Sequence, residues 1–459
     1  MNMEEQRGAE RKLLLALLGR QTEALDNRAM VLLLRQVNWP NFLNTTSGDL
    51  YPCVAFGLEP YLSFLEASPE WERLFKARRL TAVHNLLLRQ ELRKTFEALQ
   101  QSGIPALALK GVVMAYTTYP DPSLRPMADL DLLVPPGKRA EAVLILQTLG
   151  YEYPEDVLTM HRDPNRCLSQ VKEFAPPLRL RASPVLVEVH SQLECSEPLF
   201  PMSIEEYWSR SILVDLKGLT VRTLCPEDFL FHLCLHQSSW HRFNKGLLPL
   251  VDLKLLLDSR TDWNWAGIAE RSMRCGCATW MYLTLELARD LVGAPVPDSF
   301  FQALPRPRDL LLLQPVAEEQ IWSAQCGQSV TPGFLPSLLA EGSWRSRARA
   351  FVNYIPLLRH AELGSKPGVA GLFRRARLSL RLLTAALRSK IPRYFYAWKS
   401  GRLNLRTIRQ NAARLRSSNI LFEQIDQETS CAHQNSLAES TSRAPSEDAG
   451  NHERQIRTG

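Results

Sequence analysis

The sequence predicts an α+β protein: a small β-sheet core embedded in extensive α-helical N- and C-terminal regions. Three observations predict it. Asp129-Leu130-Asp131-Leu132-Leu133-Val134 alternates acid and apolar residues with the period of a half-buried strand. Val185-Leu186-Val187-Glu188-Val189-His190 is a second β-branched run, with its valines on one face and Leu186, Glu188 and His190 on the other. On either side of this region apolar residues recur at helical spacing.

The elements follow in order. Residues 9–39 and 62–102 carry helical periodicity, with Pro40 to Pro60 expected as an irregular link. Ile104-Pro105-Ala106-Leu107-Ala108-Leu109-Lys110-Gly111 reads as a buried strand ending in Lys-Gly, and Val112 to Tyr119 as the helix after it. Pro120 to Pro126 makes a turn that carries Arg125 to the start of the acid-bearing strand. Pro135-Pro136-Gly137 breaks that strand, and Lys138 to Leu149 forms a helix closed by Gly150. Further amphipathic helices are expected at Pro226–Trp240, Gly246–Asp258, Trp263–Cys275 and Ala278–Val292. The expected division is a helical region 1–102, a sheet-bearing core 103–225, a helical domain 226–362, a basic amphipathic segment 363–422 and a polar, disordered tail 423–459.

Asp is depleted in strands, so Asp129 and Asp131 run against local propensity. They project to one face, about 6–7 Å apart, while Leu130, Leu132 and Val134 face a core. Carboxylates so placed suit hard divalent cations, and Glu188 supplies a third acid if its strand lies alongside. Gly111 permits close backbone approach to a ligand at a helix N-terminus, and Lys110 adds positive charge beside it.

The order Leu109-Lys110-Gly111, Tyr119-Pro120, Arg125-Pro126-Met127-Ala128-Asp129-Leu130-Asp131-Leu132-Leu133-Val134, Leu149-Gly150-Tyr151 and Val187-Glu188-Val189-His190 resembles an uncharacterised bacterial family of the polymerase-β-like nucleotidyltransferase superfamily. The likeness runs on through Pro226, Glu227, His232, His236, Asp252-Leu253, Trp263 and Val296-Pro297, so it spans most of residues 30–300. It implies a small mixed sheet whose three acids hold two Mg²⁺ (or Mn²⁺) ions around a nucleoside triphosphate. By this resemblance Asp129 and Asp131 bridge both metals, and Glu188 holds the metal that activates the attacking hydroxyl and accepts its proton. Gly111 opens the phosphate-binding turn, with Lys110 and Arg125 as nucleotide-binding residues. Where the superfamily usually has Gly-Ser or Gly-Gly, this chain has Lys110-Gly111-Val112, so the phosphate-touching serine is missing and Lys110 or Arg125 would substitute for it electrostatically. The implied activity is transfer of a nucleoside monophosphate from an NTP to an acceptor, with release of pyrophosphate.

Histidines 232 and 236 share a helix face, and His241 follows; Leu233 stands where the zinc-hydrolase motif requires glutamate, which favours packing over a direct metal role. Together with His190 they are candidates for lining a substrate pocket. Nine scattered cysteines include one close pair, Cys275 and Cys277, and no complete zinc motif, so reduced core thiols in a cytoplasmic protein are expected. No apolar run reaches the ~18 residues of a membrane span, and residues 1–18 lack the pattern of a signal peptide.

Charge is uneven. Residues 363–422 hold fourteen Lys and Arg and no acid; taking these from the +7 of the whole chain leaves −7. Leucines and the run Tyr394-Phe395-Tyr396-Ala397-Trp398 interleave with them, which suits an anionic membrane surface, nucleic-acid phosphates or the chain's own acidic body. Three functions compete on these grounds: an active nucleotidyltransferase, a non-catalytic nucleotide- or metal-binding module, and a protein that binds anionic surfaces through its basic segment, peripheral to a membrane.

Overall fold

A computed structural model describes residues 3–19, 27–64, 69–153, 177–181, 183–193, 200–307 and 310–326, with Phe422 and Ile425. The expected basic segment and polar tail lie outside the described residues, those two apart. An α+β architecture results, mostly helical around a small mixed sheet.

The chain begins with helices α1 (Met3–Leu17), α2 (Asn27–Gln36), α3 (Trp39–Thr45) and α4 (Tyr51–Leu58), followed by α5 (Pro69–Gln101), a single helix of 33 residues. The expected irregular link between Pro40 and Pro60 is therefore wrong. Both α3 and α4 lie in it, with Pro40 and Pro52 in their first turns, where a missing N–H costs nothing and a fixed φ favours the helix. Asn38 caps α3 by accepting from the Asn41 N–H.

Five strands form the main sheet: β1 (Leu107–Ala108), β2 (Asp129–Leu133), β3 (Tyr151–Glu152), β4 (Leu178–Leu180) and β5 (Leu186–His190). Their order is β1-β2-β5-β4-β3. The pair β2–β5 is parallel and the other three are antiparallel, so the sheet is mixed, as the family resemblance implied. Helix α6 (Lys110–Thr117) follows β1, and α7 (Arg139–Thr148) leads to Gly150, whose φ of 90° only glycine adopts readily. Leu130, Leu132, Val187 and Val189 are buried on the face opposite the acids. At roughly 1.5–3 kcal/mol for each such side chain, this alternation fixes which face of the sheet turns inward.

Beyond the sheet come α8 (Ile204–Arg210), the hairpin β6 (Ile212–Asp215) and β7 (Thr220–Thr223), and helices α9 (Pro226–Leu235), α10 (Leu248–Asp258), α11 (Trp265–Arg274), α12 (Ala278–Val292), α13 (Asp298–Ala303) and α14 (Leu310–Gln325). Thr223 donates to the Ala108 carbonyl at 2.7 Å, tying the hairpin to β1. Fully buried Asp228 holds α8, α9 and α11 together through Arg210 and Arg271. Phe422 is buried against Trp280 and Phe243, with ring centroids at 5.7 and 6.2 Å.

Candidate active site

Register brings the acids together. Strands β2 and β5 run parallel with Asp131 opposite Glu188, Asp129 opposite Leu186, and Leu133 opposite His190. In a pleated sheet, cross-strand neighbours point to the same face, so Asp129, Asp131, Glu188 and His190 project together. Asp131, Glu188 and His190 each offer a ligand atom within 4.8 Å of the others. Asp129 lies outside that set, yet close enough that its charge and those of Asp131 and Glu188 perturb one another.

Lys110 completes the cluster. Its Nζ donates to Asp131 Oδ1 at 3.0 Å, and His190 Nε2 lies 2.8 Å from the same oxygen. His190 Nε2 is 3.7 Å from Glu188 Oε2. The chain reaches this position through a sharp turn. The Leu109 N–H still pairs with the Asp131 carbonyl at 3.0 Å, and Lys110, the first residue of α6, then takes a left-handed φ of 51°. For a residue with a Cβ this conformation costs about 1 kcal/mol or more. Gly111 follows because a Cβ there would approach Met127 Cγ to 3.0 Å.

The three carboxyls respond differently to one another. Burial raises Glu188 to about 7, reinforced by the negative charge of Asp131 and opposed by His190. Burial and Asp131 also raise Asp129, while Lys110, His190 and Lys245 pull it back. Burial alone would raise Asp131 too, but Lys110 and His190 outweigh it and hold the group far below the usual carboxylate range. Among the described residues, no protein hydrogen bond reaches the carboxylates of Asp129 or Glu188. Half-buried acids without protein donors fit a cation, and a set dominated by carboxylate oxygen fits a hard one such as Mg²⁺ or Mn²⁺.

Arg125 is placed differently from a free phosphate ligand. Its guanidinium forms a buried two-pronged pair with Asp252 on α10, at 2.8 Å for both contacts, and Tyr119 donates to the same carboxylate at 2.8 Å. One of its nitrogens still lies 3.7 Å from where a Cβ on Gly111 would stand. Asn85 on α5 donates to the Arg125 carbonyl at 2.9 Å and the Pro122 carbonyl at 2.6 Å, so the long helix braces the turn that delivers β2.

His232 and His236 lie on α9 and at the start of a π-helical turn, His236–Trp240, with ring centroids 5.7 Å apart. His236 Nε2 is 3.1 Å from His241 Nε2. Among the described residues the only potential metal cluster of three or more groups is the one on the sheet, and these histidines are not in it. Lys245 was not singled out by sequence reasoning, although its charge reaches Asp129. It follows Arg242 and Phe243, both left-handed at φ 51° and 60°, a conformation that no residue pattern announces.

A family model described as an uncharacterised nucleotidyltransferase matches residues 36–293, more than half of the chain. The protein belongs to that family. Neither the curated proteins nor the solved structures contain a match to it. The matched span takes in the whole acid-bearing sheet and helices α9 to α12. Among the described residues no helix is long and apolar enough to cross a membrane.

Proposed function

We propose that this nucleotidyltransferase moves a nucleoside monophosphate from an NTP to an acceptor hydroxyl, with Mg²⁺ or Mn²⁺ held by Asp129, Asp131 and Glu188. The observation that carries this reading is the parallel register that sets Asp131 beside Glu188, on one face with Asp129, in a chain of this family. When bound, a divalent cation would offset the negative charge that builds on the reacting phosphate. The residues of the chain account for the rest. Glu188, half-buried opposite Asp131, is the group that takes the proton from the acceptor oxygen as that oxygen attacks the α-phosphorus. The bond from the α-phosphorus to the bridging oxygen breaks, and pyrophosphate leaves with the electron pair. Lys110 and Gly111, at the first turn of α6, form the phosphate-facing end of the site, with Lys245 adding positive charge nearby. Arg125 serves by fixing the turn ahead of β2 through Asp252.

A second reading, a nucleotide- or metal-binding module without transfer, draws on the Lys110–Asp131 contact, which neutralises a carboxylate by itself. One experiment separates the two. The purified chain is incubated with each α-³²P-labelled NTP, Mg²⁺ or Mn²⁺ and a lysate as acceptor source. Labelled product and released pyrophosphate, both lost in Asp131→Asn, are expected. Nucleotide binding without any label transfer would favour the module, and label transfer that survives Asp131→Asn would refute the site.

A further inference from the structure

Asp131 differs from the other two acids in what already occupies it. Lys110 Nζ and His190 Nε2 converge on a single oxygen, Oδ1, at 3.0 and 2.8 Å, whereas Oδ2 accepts no protein hydrogen bond among the described residues. With two donors taking up the lone pairs of Oδ1, Oδ2 is the oxygen left to ligate a cation. On the assumption that the proposed transferase reading holds, we infer that the Lys110 ammonium stands in place of one of the two expected divalent ions, so that the nucleotide-free protein holds one ion rather than two.

Three features support this beyond the contact itself. The ammonium is covalently tethered, and its backbone is held at a left-handed φ of 51° while the side chain reaches Asp131. A strained backbone at a ligand site persists only when its surroundings enforce it. The ion pair is also well shielded, with Lys110 and Asp131 side chains 15% and 6% exposed, so solvent ions compete poorly with it. Finally, the protein already supplies positive charge to the three carboxylates: Lys110 pairs with Asp131, and the charge of Lys245 reaches Asp129. A second dication would leave an excess of positive charge in a half-buried cluster until nucleotide arrived.

The test counts ions in the nucleotide-free full chain, without reference to activity. Mn²⁺ is titrated and bound ions are counted by equilibrium dialysis and by the electron-paramagnetic-resonance signal of free Mn²⁺. Binding to Asp131→Asn is subtracted as background from the rest of the surface. The expected result is one site-specific ion in the wild type and in Lys110→Arg, and a second ion gained in Lys110→Ala. Two ions in the wild type would overturn the inference and leave the transferase reading intact. No ion at millimolar Mn²⁺ would overturn both. A single ion in Lys110→Ala, with a melting transition like that of the wild type, would also overturn it. If Lys110→Ala does not fold, Lys110→Gln takes its place.

Discussion

Replacing Glu188 with glutamine should stabilise the metal-free protein while removing its activity. In the fold this carboxyl titrates at about 7 instead of its ordinary 4.5, because burial and the adjacent Asp131 disfavour its charge. A group raised in this way binds more protons folded than unfolded between those two values, so stability declines as pH rises from 4.5 towards 7 and the full penalty applies above. At ~1.4 kcal/mol per tenfold, and with some discount for partial exposure, the penalty at about pH 8 is roughly 2–3 kcal/mol. Glutamine has the same shape and no charge, so it escapes the penalty. Thermal and urea unfolding of both proteins in chelator would read this out, with Glu188→Gln melting roughly 2–3 °C higher at about pH 8 and near parity at about pH 5. Added Mn²⁺ should then stabilise the wild type and leave the variant unchanged. A variant that is less stable than the wild type by the same amount at both pH values would refute the reasoning, since favourable contacts would then outweigh the cost of burying the Glu188 charge.

Other outcomes follow from the same geometry. Divalent-ion affinity should fall about tenfold for each pH unit below 7, because Glu188 must lose its proton to ligate; isothermal titration across that range with proton release measured in two buffers would check it. Asp131→Asn should abolish label transfer and, by leaving Lys110 without its carboxylate, destabilise the protein by roughly 3–5 kcal/mol near neutrality. That stability cost should shrink once pH drops below 3.8, where Asp131 of the wild type begins to lose its contribution as protonation in the unfolded chain sets in. Asp252→Asn should likewise cost about 3–5 kcal/mol in urea unfolding, because Arg125 keeps a buried charge with no carboxylate opposite it. Leu130→Ala, at a fully buried position on the inner face of β2, should cost about 2–5 kcal/mol and leave metal stoichiometry unchanged.

Local period determined much of this protein. Alternation at two residues was enough to place Asp129 and Asp131 on one face of a strand, and Glu188 and His190 on one face of another, because side-chain direction in a strand depends only on position along it. The same local logic reached α7 with its glycine stop and the helices that follow Pro226. It failed at Pro40 and Pro52, since a proline that ends one helix and one that starts the next look alike in sequence. Tertiary structure alone decided which groups meet. The Asp131–Glu188 register joins segments far apart in the chain, the Lys110 side chain pairs with Asp131, and Arg125 pairs with Asp252 across 127 residues. Lys245 approaches the acids through a loop whose left-handed residues follow no periodicity. Such pairings are set by how helices and strands close on a shared core, and that closure depends on the whole chain's packing, which no short stretch of residues encodes.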